Sequence, residues 1–134
     1  MSAIHMGAPT CGWMTRNAGD LGSAIAAFFK DLGPVAERVT LVTISEFGRR
    51  VQENASRSLD HGWGNVMLVA GAGVKGGAYY GTWPGLRNTL DADLRVTTDY
   101  RGVLAEIVAA RTSASTAAVF PGVTRERVGV MSGQ

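Results

Sequence analysis

The chain has few of the cysteine and histidine residues that commonly form disulfide bonds and metal sites. Its single cysteine, Cys11, excludes a disulfide within the chain. Two histidines, His5 and His61, are too few for a three-histidine metal site within one chain. No apolar run approaches the roughly 18 residues that a membrane span needs, and the first residues lack the basic start and apolar stretch of a signal peptide. We therefore expect no membrane association and a cytoplasmic location.

The charge balance is also slight, with 13 basic and 11 acidic residues and a net charge of +2. Such a balance does not favour nucleic acid as a partner, even with a pI of about 9.0. By contrast, 46% hydrophobic residues within 134 indicate one folded domain over residues 1–134. Eighteen glycines predict many tight turns or close backbone approaches.

Local patterns predict a mixture of helices and strands. Residues 1–19 have no periodicity and predict a loop, after which Asp20 begins an amphipathic helix that Gly33 and Pro34 end. Residues 38–45 are β-branched and apolar, which favours a strand buried on both faces. Residues 46–64 are predicted to form a long polar loop, residues 66–70 a second strand, and residues 128–131 a last one. Thr98 or Asp99 is expected to cap a second helix, and residues 117–122 to form a loop anchored by Phe120.

The glycine-rich stretch at residues 71–76 has the spacing of a dinucleotide-binding motif. That motif requires a helix to begin there, because the pyrophosphate binds the helix N-terminus. The residues that follow contain glycines and a proline, which do not continue a helix. We therefore predict a glycine-rich turn leaving a strand. Trp63, Trp83 and Tyr100 are interpreted as core or loop anchors, since no basic stripe accompanies them.

Two short segments carry candidate chemistry. Glu46 and Arg49 follow the first predicted strand, where Glu46 is placed to bind a cation or act as a base and Arg49 to hold an anion. The alternative is that these two residues only pair with each other at the surface. Asp60 and His61 offer oxygen and nitrogen ligands for zinc or another divalent ion, or else form a turn with a hydrogen-bonded histidine.

The order in which these segments follow one another points to a particular family more strongly than any one of them does. Ser-Glu-Phe-Gly-Arg-Arg, then Asp-His-Gly, then Val-Ala-Gly-Ala-Gly-Val-Lys-Gly-Gly and Gly-Thr-Trp-Pro-Gly-Leu resemble a bacterial family, the domain of unknown function 1501 family. That family looks related to the alkaline phosphatase and sulfatase superfamily. The similarity runs from about residue 12 to 131 and corresponds to the C-terminal third of a typical member. It implies a partial three-layer α/β/α sandwich with a short, mainly parallel sheet, carrying Glu46, Asp60 and His61 as metal ligands.

The chain departs from the family pattern at its start. Members usually have Gly-Trp-Asp-Thr-His before the first helix, whereas this chain has Met14 and Arg16 at the two ligand positions. The resemblance also implies that the half bearing the nucleophile is not part of this chain. Since two-metal hydrolysis requires both ions and an attacking group in fixed geometry, the resemblance implies a hydrolase-type domain that is catalytically incompetent alone.

Two interpretations of function follow, and they differ in class. The first is the truncated metallohydrolase-type domain, in which a divalent ion such as zinc is held by Glu46, Asp60 and His61 and Arg49 contacts an anion. The second is a non-catalytic structural or protein-interaction module. A truncated gene product is a third interpretation. Half a sandwich would expose strand edges and an apolar face, which predicts self-association or a partner chain covering the sheet.

Overall fold

A computed structural model describes residues 9–56, 58–87, 89–124 and 127–132, with only the backbone described for residues 9–14. It has three helices, α1 (Pro9–Leu32), α2 (Tyr100–Arg111) and α3 (Thr116–Val119). Four short strands are present within these residues, β1 (Thr40–Val42), β2 (Gly48–Glu53), β3 (Leu59–Gly62) and β4 (Val69–Gly71). A 3₁₀ helix, Gly33–Arg38, links α1 to β1.

The strands form two separate antiparallel pairs, β1 with β4 and β2 with β3. The expected three-layer sandwich with a mainly parallel sheet is therefore wrong. Parallel neighbours need a crossover connection, usually a helix, between them. Between β1 and β4 the chain instead forms the β2–β3 hairpin and returns beside β1 in the opposite direction, pairing Leu41 with Ala70.

Helix α1 begins at Pro9, 11 residues before the predicted start at Asp20, so the predicted loop at residues 9–19 is wrong. Residues 1–8 of that predicted loop lie outside the described residues. Proline is well tolerated in a first helical turn, where its missing N–H has no intrahelical partner. The predicted end at Leu32 is confirmed. Half-buried Phe29 lies beside the end of β4, where a Cβ atom at Gly71 would lie only 3.0 Å from its ring.

The predicted loop over residues 46–64 is also wrong, because it contains the β2–β3 hairpin. The turn is closed by Asn54, whose side-chain oxygen accepts the backbone N–H groups of Ser56 and Ser58. On its other edge, β2 hydrogen-bonds to residues 92–94, with Val51 N donating to Ala92 O at 2.9 Å. These backbone bonds join segments distant in sequence, so local polarity did not reveal them.

The predicted strands are shorter than expected. The strand over residues 38–45 is reduced to β1, which is half-buried and not buried on both faces. The strand over residues 66–70 corresponds in part to β4. Residues 128–131 form only an isolated bridge, between Val74 and Met131. The predicted glycine-rich turn after the second strand is confirmed, because Gly71 and Gly73 have positive φ angles and no helix begins there.

Helix α2 and the C-terminal segment, residues 127–132, each provide two of the buried hydrophobic residues in the described part of the chain. Its predicted cap is confirmed, since the Asp99 carboxylate accepts the backbone N–H of Arg101 at 2.9 Å. Residues 117–122 were predicted to form a loop, but α3 occupies their first part and Phe120 follows it, half-buried. Buried residues from α2 and the C-terminal segment meet partly buried side chains from β4 and its surroundings. The members of this core are Val103, Val130 and Met131, packed with Met67, Val69, Val74, Ile107, Ala110 and Val128.

Candidate functional site

The residues with candidate chemistry lie on and beside the β2–β3 hairpin. Arg49 of β2 and His61 of β3 are direct cross-strand partners, so their side chains share one face. Phe47, two residues before Arg49, stacks on His61 with ring centroids 3.7 Å apart and an interplanar angle of 16°. The Arg49 guanidinium carbon lies 5.0 Å from the centre of the Phe47 ring. The structure thus brings together a cation, an aromatic ring and an imidazole.

Asp60 does not join this group. It precedes His61 in β3, and consecutive strand residues project to opposite faces. Its carboxylate accepts a hydrogen bond from the Asn54 side chain at 2.7 Å. The sequence placed Asp60 and His61 together as ligands, but the strand geometry directs them away from a common ion.

Glu46 lies in the exposed turn between β1 and β2. Within the described residues, it forms no ion pair with Arg49. Arg49 instead donates to the backbone oxygen of Leu59 at 2.8 Å, so the alternative of a mutual Glu46–Arg49 pair does not apply. Glu46 and His61 both line a broad surface depression, here called the open cleft, which Asp60 and Arg49 do not line.

The residues present do not amount to a complete metal centre. Structural zinc sites use four protein ligands, and catalytic sites use three with one position left open. In the part of the chain that the structure describes, no group of three or more His, Cys, Asp or Glu side chains is placed to hold an ion. The described residues therefore do not fit a self-sufficient divalent-metal site.

Arg16, which stands where the resemblance implies a metal-ligating residue, lies in helix α1. Arg16 lies exposed on α1, with its Nε 3.9 Å from an Asp20 carboxylate oxygen one turn later. Such an exposed i,i+4 pair contributes only a few tenths of a kcal/mol, about 0.3–0.5. Arg16 thus belongs to the solvated surface of α1.

Aromatic residues interpreted as anchors are exposed instead. Trp63 is 79% exposed, Trp83 68% and Tyr100 51%, and all three line the open cleft. The interpretation of these residues as core or loop anchors is therefore wrong. The one sequence signal that could have revealed the surface is a run of aromatics at residues 79–83, placed among glycines and without helical or strand periodicity.

Comparison with known proteins identifies the family. A family model described as a protein of unknown function (DUF1501) matches residues 10–114. This is most of the chain, so the chain belongs to the DUF1501 family. No curated protein and no solved structure shows a significant match. Among the described residues, no helix is both long enough and apolar enough to cross a membrane.

Proposed function

We propose that this chain is a hydrolase-type domain of the DUF1501 family that is catalytically incompetent alone and supplies part of a site completed by another polypeptide segment. The class of reaction comes from the resemblance of the family to alkaline phosphatases and sulfatases. The observation that supports an incomplete site is that Glu46 and His61 share the open cleft, while the described residues provide no third ligand.

In this proposal a second segment covers the open cleft and brings the missing ligands and the nucleophile. His61 and Glu46 contribute one nitrogen and one carboxylate donor, and a divalent ion such as zinc is held only in the assembled site. Arg49 does not itself line the cleft, but it is the cross-strand partner of His61 and would contact the anionic group of a phosphate or sulfate ester that extends from the cleft onto this face. Asp60 lies on the opposite face of the strand, and the Asp60→Ala variant tests whether it takes part in the site.

The test is complementation. The chain is mixed with the N-terminal part of a full-length family member, produced separately, and assayed with p-nitrophenyl phosphate and p-nitrophenyl sulfate in the presence of Zn²⁺. We expect no hydrolysis by the chain alone and hydrolysis by the mixture that His61→Ala and Glu46→Ala abolish. Glu37→Ala, an exposed carboxylate on the 3₁₀ helix, is the control.

The outcomes separate the parts of the proposal. Hydrolysis by the chain alone would contradict the proposal that it is catalytically incompetent without a second segment. Equal activity of the mixture with His61→Ala would contradict the assigned site. Loss of the activity of the mixture with Asp60→Ala would indicate that Asp60 also belongs to the assembled site.

A second candidate function is favoured by the exposed aromatic face. We propose as the alternative a non-catalytic interaction module that binds a second copy of itself through the open cleft. Contiguous exposed apolar surface commonly marks an interface, and the cleft carries both Lys75 and Arg95 and both Glu46 and Asp93. A surface bearing both signs can be self-complementary in a symmetric dimer.

Light scattering across a concentration series tests this alternative. We expect the mass to rise from one chain toward two, with strong binding of a hydrophobic dye by the dilute chain. A monomer at high concentration that binds no dye would contradict self-association. Only the first candidate predicts ester hydrolysis by the mixture and its loss in His61→Ala.

A further inference from the structure

The imidazole of His61 is exposed but does not stand free in solvent. It lies almost parallel to the Phe47 ring, with 3.7 Å between centroids and 16° between planes. An exposed side chain ordinarily samples several rotamers. Stacking on the Phe47 ring disfavours the rotamers in which the imidazole is not parallel to that ring. The strand backbone alone does not impose this restriction.

Phe47 is itself held in place through its backbone. Its carbonyl oxygen accepts the Ser45 hydroxyl at 2.9 Å and the Asn65 side-chain amide at 3.1 Å. The next residue, Gly48, is buried, and a side chain there would collide with the backbone of residues 63 and 64. The ring against which His61 stacks therefore rests on an anchored segment.

We infer that Phe47 is a positioning residue for His61: it holds the plane of the imidazole in the open cleft, which both residues line. Both ring nitrogens bind ligands in the plane of the ring, so a fixed plane restricts the directions in which they can bind. Hydrogen-bonding groups that orient a ligating histidine typically change its metal affinity about tenfold or more, and we expect a stacking contact that holds the ring plane to have an effect of similar size. The plane of the ring follows from the stacking geometry, whereas what His61 then binds rests on the proposed function.

The stacking is tested first in the wild-type chain by NMR. We expect nuclear Overhauser contacts between the Phe47 and His61 ring protons and upfield-shifted imidazole C–H signals. Their absence would overturn the inference without any variant.

Variants then test whether Phe47 causes the orientation. Phe47→Leu should move the imidazole signals downfield, whereas Phe47→Tyr, which keeps the ring, should retain the shift. Phe28→Leu removes an aromatic from α1 and should leave the signals unchanged. Retention of the upfield shift in Phe47→Leu would overturn the positioning role.

Zn²⁺ titration separates this inference from the proposed function. We expect Phe47→Leu to weaken Zn²⁺ binding by the complemented protein about tenfold and Phe47→Tyr to restore it. If His61→Ala binds Zn²⁺ as tightly as the wild type, the proposed site fails, and the NMR shifts still decide the role of Phe47. If His61→Ala loses the ion and Phe47→Leu does not, the positioning role is overturned.

Discussion

Both oxygens of the Glu106 carboxylate accept the backbone N–H of Gly129, each at 2.9 Å. Glu106 lies in the middle of α2 and is only 1% exposed. It also accepts the N–H of Val130 at 3.1 Å, and Arg127 Nε lies 4.0 Å from its Oε1. One buried acid therefore fastens the C-terminal segment to the helix, and that segment carries two of the core residues, Val130 and Met131.

Replacing Glu106 by Gln should lower the free energy of unfolding by about 1–3 kcal/mol, because the amide group has one acceptor oxygen where the carboxylate has two. Its NH₂ group would also face a backbone N–H or Arg127. Urea denaturation measures the loss. The control, Glu37→Gln on the exposed 3₁₀ helix, should stay within about 0.5 kcal/mol of the wild type. Equal stability of Glu106→Gln and the control would show that the carboxylate does not hold the segment.

Asp99 should contribute stability that depends on pH. Hydrogen bonds from the Arg101 side chain and then from its backbone N–H hold the pKa of Asp99 below its usual range. A lowered folded-state pKa gives stability that is present above the unfolded pKa of about 3.9 and is lost as pH falls through the folded-state value. At pH 7, Asp99→Ala should lower the free energy of unfolding by about 1 kcal/mol, since α2 loses its N-cap.

The difference between Asp99→Ala and the wild type should shrink below about pH 4, as protonation weakens the cap. Thermal unfolding of both proteins between pH 3 and 7 measures it. Asp31→Asn, an exposed carboxylate on α1, serves as the control and should show no such convergence. A difference that stays constant down to pH 3 would contradict the charge-dependent part of the cap.

Gly48 should tolerate no side chain. A Cβ atom there would overlap the Gly64 oxygen and the Trp63 carbonyl, so Gly48→Ala should destabilise the chain by about 2 kcal/mol through overpacking. Gly22→Ala is the matched control, because it lies in α1 with nothing within 4 Å of the new atom. That control should be stabilised by about 0.5–1 kcal/mol through helix propensity. Urea denaturation of the two variants should therefore give changes of opposite sign.

The parts of the fold that local chemistry determines were predictable. The cap of α2 was narrowed to Thr98 or Asp99, of which the structure has Asp99, and Gly33 and Pro34 predicted the end of α1, because each signal acts within a few residues of its cause. Strand direction was not predictable in this way. A β-branched run such as residues 38–45 indicates a strand but not its partner, and here the partner is set by the return of the chain at β4. Glu106 was missed because its partners lie more than 20 residues away.

In the candidate site, too, some relationships could be predicted from the sequence and others could not. The sequence singled out Arg49 and His61, and the structure makes them cross-strand partners. It also treated Asp60 and His61 as a pair, since neighbours within a loop can converge on one ion. Their separation follows from the two-residue period of a strand, and residues 46–64 were expected to contain no strand. The hairpin was missed because its strands are polar, and β2 is supported on its other edge by hydrogen bonds to residues 92–94, which are distant in sequence.

Trp83 should be central to any self-association through the open cleft. Aromatic residues at the centre of interfaces commonly contribute more than about 1 kcal/mol each, so Trp83→Ser should weaken dimerisation at least about fivefold and reduce binding of a hydrophobic dye. Leu90→Ser is the control, because Leu90 is 84% exposed but does not line the cleft. Light scattering over a concentration series compares the two variants. Equal weakening by both would mean that general surface hydrophobicity, and not the cleft, drives association.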